Sequence, residues 1–347
     1  MRYGFWAPVF GGWLRNVADE RMEASWDYTR RLCQRAERIG YELTLVAELN
    51  LNDVKGIDAP ALDAWSTAAA LAAVTERLEL MVAVRPSFHH PALFAKAAAN
   101  IQAVARGRLS LNVVSSWWAE EARQYGLQFD EHDHRYARTS EWLRVVDGLW
   151  SEERFTFNGR YYRTEGAICS PKPSPKPIIY AGGESEAAKA LIAAQCDAYV
   201  MHGDEPAVIA DKIAGMKARR EALGLQPMQY GMAAYAIVRD SQREADAEVS
   251  RITDMGDKPP PGFGNFDQWL QGTQLERELK IREYSVSNRG LRPGLIGTAD
   301  AIRARVAEFE AAGLDLLLLQ MSPQAEEMER FSGEVIRPAE LLGAAAE

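Results

Sequence analysis

Residues 107–136 read GRLSLNVVSSWWAEEARQYGLQFDEHDHRY, and this stretch decides the fold. It opens on Leu109–Val114, a short apolar run that predicts a buried strand. Asn112, Ser115 and Ser116 put small hydrogen-bonding groups at the carboxyl end of that strand. In a barrel of alternating strands and helices, that end carries the ligands. A polar, acid-containing segment follows (Glu120, Glu121, Arg123), and then His132-Asp133-His134-Arg135-Tyr136. Small polar groups at a strand mouth, followed by an Arg-Tyr pair, suit a flat polar ring that ends in a phosphate.

On both sides of this strand the pattern alternates. Tyr3–Pro8, Leu43–Ala47 and Leu78–Val84 read as strands before it. Helices are expected over Met22–Ile39 with Gly40 as its C-terminal cap, over Pro60–Val74 with Asp58 or Ala59 near the cap, and from Pro91 to about Ala105. Residues 115–176 are too long for an ordinary barrel loop of about two to six residues. They predict a helix (Arg138–Leu149), a hairpin FTFNGRYY at 155–162 turning at Asn158-Gly159, and an extended connector Ser170–Pro177. Strands then recur at Ile178–Ala181, Asp197–Met201, Tyr230–Arg239 and Leu314–Gln320. Between them lie helices from Ser185, over Pro206–Leu223, Gln242–Ile252 and Ala299–Ala312, with a helical tail at the end. A second insertion, 254–293, is rich in Pro and Gly and reads as a mobile lid or a solvated loop. About eight strand–helix units predict an α/β fold, a (β/α)8 TIM barrel with insertions at about 115–176 and 254–293, as one domain over 1–347. A doubly wound sheet would be expected to show a Gly-rich dinucleotide fingerprint after strand one, and none is present.

Bulk properties narrow the function. With 47% hydrophobic residues the chain can bury a large core, and its net charge of −9 argues against nucleic-acid and anionic-membrane partners. No apolar run approaches the roughly 20 residues of a bilayer span, and the amino terminus lacks the layout of a signal peptide. Three scattered cysteines fit a reducing compartment and show no metal spacing, so a soluble cytoplasmic protein is expected.

Several residues could carry chemistry. Gly182-Gly183-Glu184-Ser185 follows a strand and opens a helix, where backbone N–H groups and a hydroxyl can hold an anion; a plain tight turn is the competing reading. His132 and His134 invite a metal, but no third and fourth ligand stands at telling spacing, so no metal is expected. Arg85 could face an anionic oxygen or pair with an acid on the rim. His202, at the end of a strand, is a candidate polar pocket residue or a structural histidine. Trp6, Phe10, Trp13, Trp117 and Trp118 fall at strand ends or in the loops after them, where a water-poor chamber would be built.

Four pieces, GRLSLNVVSSWW, HDHRY, YAGGESEAA at 180–188 and LIGTADAI at 295–302, resemble the bacterial luciferase-like flavin-dependent monooxygenases in sequence and in order. The resemblance is to the branch of dimethyl sulfone, alkanesulfonate and pyrimidine monooxygenases. It implies reduced FMN delivered by a separate NAD(P)H-dependent flavin reductase, dioxygen as co-substrate, and a homodimer or homotetramer. It also implies that a small organosulfur compound is oxygenated with C–S cleavage, a role in sulfur metabolism. It places the FMN phosphate on Ser185 and the amides before it, including Gly183 and Glu184. It places Asn112, Glu121, Arg135, Tyr136, Glu48 and Leu49 at the flavin, and Trp6, Phe10, Trp13, Arg85 and Trp117 in the substrate pocket. His202, Tyr235 and Arg289 or Arg292 are the expected pocket polar groups, with His202 donating to substrate or flavin peroxide. Where alkanesulfonate enzymes carry an Arg and a His on one strand face, this chain has Ala233 and Tyr235, and where they carry a cysteine it has Leu62. A buried anion wants a paired charge, so these departures favour a neutral substrate. The other readings are a flavin monooxygenase acting on a heterocycle such as a pyrimidine, a deazaflavin-dependent dehydrogenase, a metal-dependent barrel hydrolase and a noncatalytic flavin-binding protein.

Overall fold

The computed structural model describes residues 1–254, 256, 261–272 and 281–337. In chain order the elements are β1 (Arg2–Trp6), α1 (Trp26–Ile39), β2 (Leu43–Val46), α2 (Ala64–Val74), β3 (Glu79–Val84), α3 (Pro91–Val104) and β4 (Leu109–Val113). Then come α4 (Ala119–Gln124), α5 (His132–Ser151), β5 (Phe155–Asn158), β6 (Arg163–Ala167), β7 (Ile178–Ala181), α6 (Glu186–Gln195), β8 (Ala198–Met201) and α7 (Pro206–Ala222). The remainder is β9 (Gln229–Tyr235), β10 (Ile237–Val238), α8 (Gln242–Thr253), α9 (Phe266–Gly272), β11 (Ile296–Gly297), α10 (Ala299–Ala311), β12 (Leu316–Gln320) and α11 (Gln324–Phe331). Eight parallel strands close in the order β1-β12-β9-β8-β7-β4-β3-β2, which is the expected (β/α)8 barrel.

Strand parity explains how the barrel is filled. Successive side chains point to opposite sides of a strand, so only alternate residues reach the axis. Leu43, Leu45, Met81, Tyr180, Ala198, Leu316 and Leu318 form one buried cluster inside the barrel. Each fully buried Leu of this kind contributes about 1.5–3 kcal/mol. Toward the carboxyl ends of the strands the alternate positions change to Ala47, Ala83, Asn112, Gly182 and Ala233, which line a cavity. Large side chains below and small ones above leave that cavity open at one end of the barrel.

Several boundaries differ from the sequence reading, each for a local reason. Helix α1 starts at Trp26 rather than Met22, because Ser25 is the cap and accepts from the Tyr28 N–H at 3.2 Å. Gly40 ends it as expected, in the left-handed region at φ 105°. Helix α2 is capped by Asp63, not by Asp58 or Ala59; the Asp63 carboxylate accepts from the Ser66 N–H at 2.7 Å. The hairpin turns through Gly159–Tyr162 instead of a two-residue turn, since the Glu141 carboxylate accepts the N–H groups of Arg160 and Tyr161, both at 2.8 Å. Strand β9 stops at Tyr235, where its pairing with β12 ends at Gln320. Ile237 then donates to the Leu295 carbonyl at 2.9 Å, and β10 pairs with β11 outside the barrel. Helix α5 begins at His132 rather than at Arg138, so His132–Tyr136 forms its first part. The lid expected over 254–293 falls partly on residues 255, 257–260 and 273–280, which lie outside the described residues. No helix of the described residues is long and apolar enough to cross a membrane.

The Asp63 cap gives a direct check. Asp63→Ala is expected to lower stability by about 1 kcal/mol in denaturant unfolding. Asp58→Ala, at an exposed position, is expected to stay within about 0.5 kcal/mol of the parent. The reverse order would show that the helix starts earlier.

Candidate active site

The cavity at the carboxyl ends of the strands has a volume of about 270 Å³. Its two sides differ in chemistry. On the β7 and β8 side, Gly182-Gly183-Glu184-Ser185 turns from β7 into α6, and Ser185 is the N-cap, accepting from the Ala188 N–H at 3.2 Å. Gly183 has φ 155°, and a Cβ there would lie 2.6 Å from Ala188 Cβ and 3.1 Å from the Tyr136 hydroxyl. The turn is therefore a cradle that only glycine leaves open. Tyr199 donates to the Gly183 carbonyl at 2.9 Å and fixes that peptide. Four residues apart on α5, His132 and Tyr136 share one face with their rings 5.0 Å apart, and the Tyr136 hydroxyl shares a hydrogen bond with Ser185. Burial pushes the Tyr136 hydroxyl above its ordinary pKa, so it stays protonated. Arg135 also lines this side. First-turn amides, a hydroxyl, a tyrosine and a guanidinium around a glycine cradle fit the phosphate end of FMN.

Glu184, the third residue of this turn, is buried. Lys212 pairs with it at 2.5 Å, and Arg289 pairs with the same oxygen from the second insertion. Burial opposes its ionisation, but the surrounding positive charge outweighs this and holds the carboxyl at about 2; His202 adds to that charge only when protonated. His202 lines the cavity with its ring 6.1 Å from that of Trp269. Burial and the charges of Arg289 and Lys212 lower its pKa to about 4 against the opposing pull of Glu184, so the ring is neutral at physiological pH.

Across the barrel, the β1 side is aromatic. Trp6, Phe10 and Trp13 pack edge to face, and Trp117, Trp269 and Tyr284 join them in the wall. The arginines here and at the end of β3 are paired with acids. Arg15 binds Asp53 at 2.5 Å and lies 4.0 Å from the centre of the Tyr284 ring. Arg85 holds Glu121 with both guanidinium nitrogens, at 3.1 Å for one of them, and reaches Glu48 at 3.4 Å. Glu121 has no accessible surface and also accepts the Asn50 N–H at 2.5 Å.

Most of the residues expected at the site meet at this cavity. Trp6, Phe10, Trp13, Arg85, Trp117, Glu48, Leu49, Asn112, Arg135, Tyr136, Gly183, Glu184, Ser185 and His202 all line it. Five expected residues do not, Trp118 among them. Glu121 lies behind Arg85, Arg289 is buried behind Glu184, and Arg292 pairs with Glu283 at 2.6 Å. Tyr235 is covered by residues 286–290, with its N–H donating to the Gly290 carbonyl at 2.8 Å. His132 and His134 do not act together, since only His132 reaches the cavity and His134 is exposed. Sequence reasoning missed Arg15, Asp53, Tyr284, Trp269, Asn288 and Gln320. For Gln320 a signal existed: it is the polar residue that ends an otherwise all-Leu strand.

The His202 environment has a measurable consequence. The unfolded chain takes up this proton near 6.5 and the folded chain only near 4, so the unfolded state binds more protons between those values. Stability is therefore fully present above about pH 6.5 and falls as the pH drops toward 4, by up to about 3 kcal/mol from this group. An NMR titration that finds the His202 midpoint near 6.5 would remove this account.

Comparison with known proteins agrees with this geometry. Residues 1–316 match the family model described as luciferase-like monooxygenase. The chain is 31% identical to the FMNH2-dependent dimethylsulfone monooxygenase of Pseudomonas fluorescens (strain Pf0-1), over 97% of this chain and 93% of that protein. It is 32% identical to the protein of the same description from Pseudomonas putida, over 97% and 94%. The solved structure of DmoA from Hyphomicrobium sulfonivorans shares the fold, with a TM-score of 0.80 at 18% identity, covering 99% of this chain and 88% of that one. With the barrel, the cradle and a family match along most of its length, the chain belongs to the luciferase-like monooxygenase family.

Proposed function

We propose that the chain is the oxygenating half of a two-component system. It takes reduced FMN from a separate NAD(P)H-dependent flavin reductase and, with dioxygen, oxygenates a small neutral organosulfur compound of the dimethyl sulfone kind. Bound reduced FMN supplies two electrons to dioxygen, so that one oxygen atom enters the substrate and the other leaves as water. Oxygen placed on the carbon beside a sulfone gives an α-hydroxy sulfone, which breaks its C–S bond to yield a sulfinate and an aldehyde. The reading includes one domain over residues 1–347 and a cytoplasmic homodimer or homotetramer.

The residues have distinct tasks in this scheme. Gly182, Gly183, Ser185, Tyr136 and Arg135 hold the phosphate, while Asn112, Glu48 and Leu49 border the ring. Arg289 and Lys212 act through Glu184, keeping the turn that carries the cradle in place. Neutral His202, at the end of β8, is a further hydrogen-bonding group of the cavity wall toward flavin or substrate. Trp6, Phe10, Trp13 and Trp117 exclude water, with Trp269 and Tyr284 closing the wall from the second insertion.

One observation carries the choice of a neutral substrate. The two cavity arginines outside the cradle side are already matched by acids, Arg15 by Asp53 and Arg85, at the end of β3, by Glu121 and Glu48. Small Ala233 stands in the cavity wall. A sulfonate would bring a full charge to a region whose positive charge is already used, and an uncompensated buried anion is costly.

Anaerobic titration followed by tryptophan fluorescence should show reduced FMN binding more tightly than oxidised FMN. Ser185→Ala should weaken binding about tenfold, from the loss of one charge-assisted hydrogen bond. With a reductase supplied, dimethyl sulfone should yield formaldehyde, and alkanesulfonates should be turned over at least about a hundredfold less efficiently. A sulfonate preferred over sulfones would overturn the neutral-substrate reading.

A further inference from the structure

The aromatic side of the cavity holds donors that the protein itself does not use. The Trp6 Nε1–H and the Gln320 Nε2–H are buried, belong to side chains that line the cavity, and have no hydrogen-bond partner among the described residues. They stand side by side at the end of adjacent strands. β1 pairs with β12 through Gly4↔Leu318, and Trp6 and Gln320 lie two residues further along the same face. This wall is on the opposite side of the barrel from β7, which carries the glycine cradle.

Several other side chains of the same types find their partners within the protein. Gln324, one turn further on, is fully engaged: it accepts from Trp13 Nε1 at 3.3 Å and donates to the Trp6 carbonyl at 2.7 Å. Trp142 and Trp150 also donate, to the His89 carbonyl at 2.8 Å and the Ala95 carbonyl at 3.0 Å. The indole nitrogens of Trp65 and Trp118 share the lack of a partner, but neither residue lines the cavity. Gln320 is 2% exposed at the end of a strand whose other axis-facing residues are Leu316 and Leu318. A buried amide donor left unpaired is costly, and it persists where a ligand completes it.

We propose that Gln320 and Trp6 form a donor pair for the substrate, recognising a neutral, strongly accepting oxygen such as that of a sulfonyl group. The inference rests on the neutral organosulfur reading above and adds the residues that select for it. Two neutral donors suit an uncharged acceptor, whereas a charged sulfonate would look for a cation, and the nearest on this side, Arg15, is held by Asp53. A thioether offers no comparable oxygen and would leave both donors unpaired.

The test uses Gln320→Met, which keeps length and bulk but removes the donor, and Trp6→Phe, which keeps a ring without N–H. Each is expected to lower kcat/KM for dimethyl sulfone about tenfold, chiefly through KM, with reduced-FMN affinity unchanged. Discrimination between dimethyl sulfone and dimethyl sulfide as competing ligands should shrink by a similar factor. Gln320→His, which restores an N–H donor, should recover part of the loss. If one variant fails to fold, the other carries the comparison. An unchanged KM, or a loss of reduced-FMN binding equal to the loss of kcat/KM, overturns the donor pair while leaving the function intact. A wild-type protein that oxygenates other neutral compounds but no sulfone overturns the substrate reading and the donor pair together.

Discussion

A strand in a closed barrel can show only every second side chain to the axis, and this constraint organises the whole site. Leu43, Leu45, Met81, Leu316 and Leu318 use those positions to fill the lower barrel. The next positions up are Ala47, Ala83, Gly182 and Ala233, too small to meet across the axis, and a cavity results. The same parity delivers Trp6, Asn112, His202 and Gln320 to its wall. Substrate space and core packing are therefore one pattern read at two heights. A single-residue slip in any strand register would exchange cavity residues for ones that face the helices.

The second insertion completes this pattern by tying itself to barrel ends. Gly203 donates to the Asn288 carbonyl at 2.9 Å, Tyr235 to that of Gly290, and Arg289 pairs with Glu184. Asn288 and Arg289 adopt left-handed backbone angles, φ 59° and 54°, which bend the chain back over the strand ends. Such angles are unfavourable for side chains other than Gly and Asn, and the buried ion pair and backbone bonds hold them in place. Through Glu184 the insertion and the glycine cradle share one anchoring group, so the insertion that closes the aromatic side is tied to the turn proposed to hold the cofactor.

Much of the fold was legible because it is written in local pattern. All eight barrel strands fall where short apolar runs predict them, and Pro91, Gly40 and Ser185 mark helix ends by their own backbone chemistry. The cradle was legible for the same reason, since strand, Gly-Gly, hydroxyl and helix are contiguous. What was not legible depends on partners distant in sequence. Arg85 and Glu121 are 36 residues apart, Arg15 and Asp53 are 38 apart, and Glu184 and Arg289 are 105 apart. Nothing local shows that these charges cancel, so the sequence alone leaves open whether Arg85 pairs with an acid and places Arg289 among the pocket polar groups. Tyr235 misled differently: its parity is correct, but residues 286–290 cover it.

The cancelled charges explain how a strongly polar site can still suit an uncharged substrate. An ion pair in a low-dielectric wall contributes a fixed dipole, and its members need not reorganise when a neutral molecule enters. The pairs at Arg15 and Arg85 therefore shape and orient the wall without drawing an anion into it. The first-turn amides of α6 lie instead on the opposite side, with Arg135 in the cavity lining there, where the proposed phosphate would use them. His202, neutral as well, adds no charge between the two sides. An anionic end held at β7 and an uncharged, aromatic end at β1 divide the cavity into a place to anchor a cofactor and a place to react. That division follows from where the glycine cradle and the paired Arg15 and Arg85 fall around the barrel.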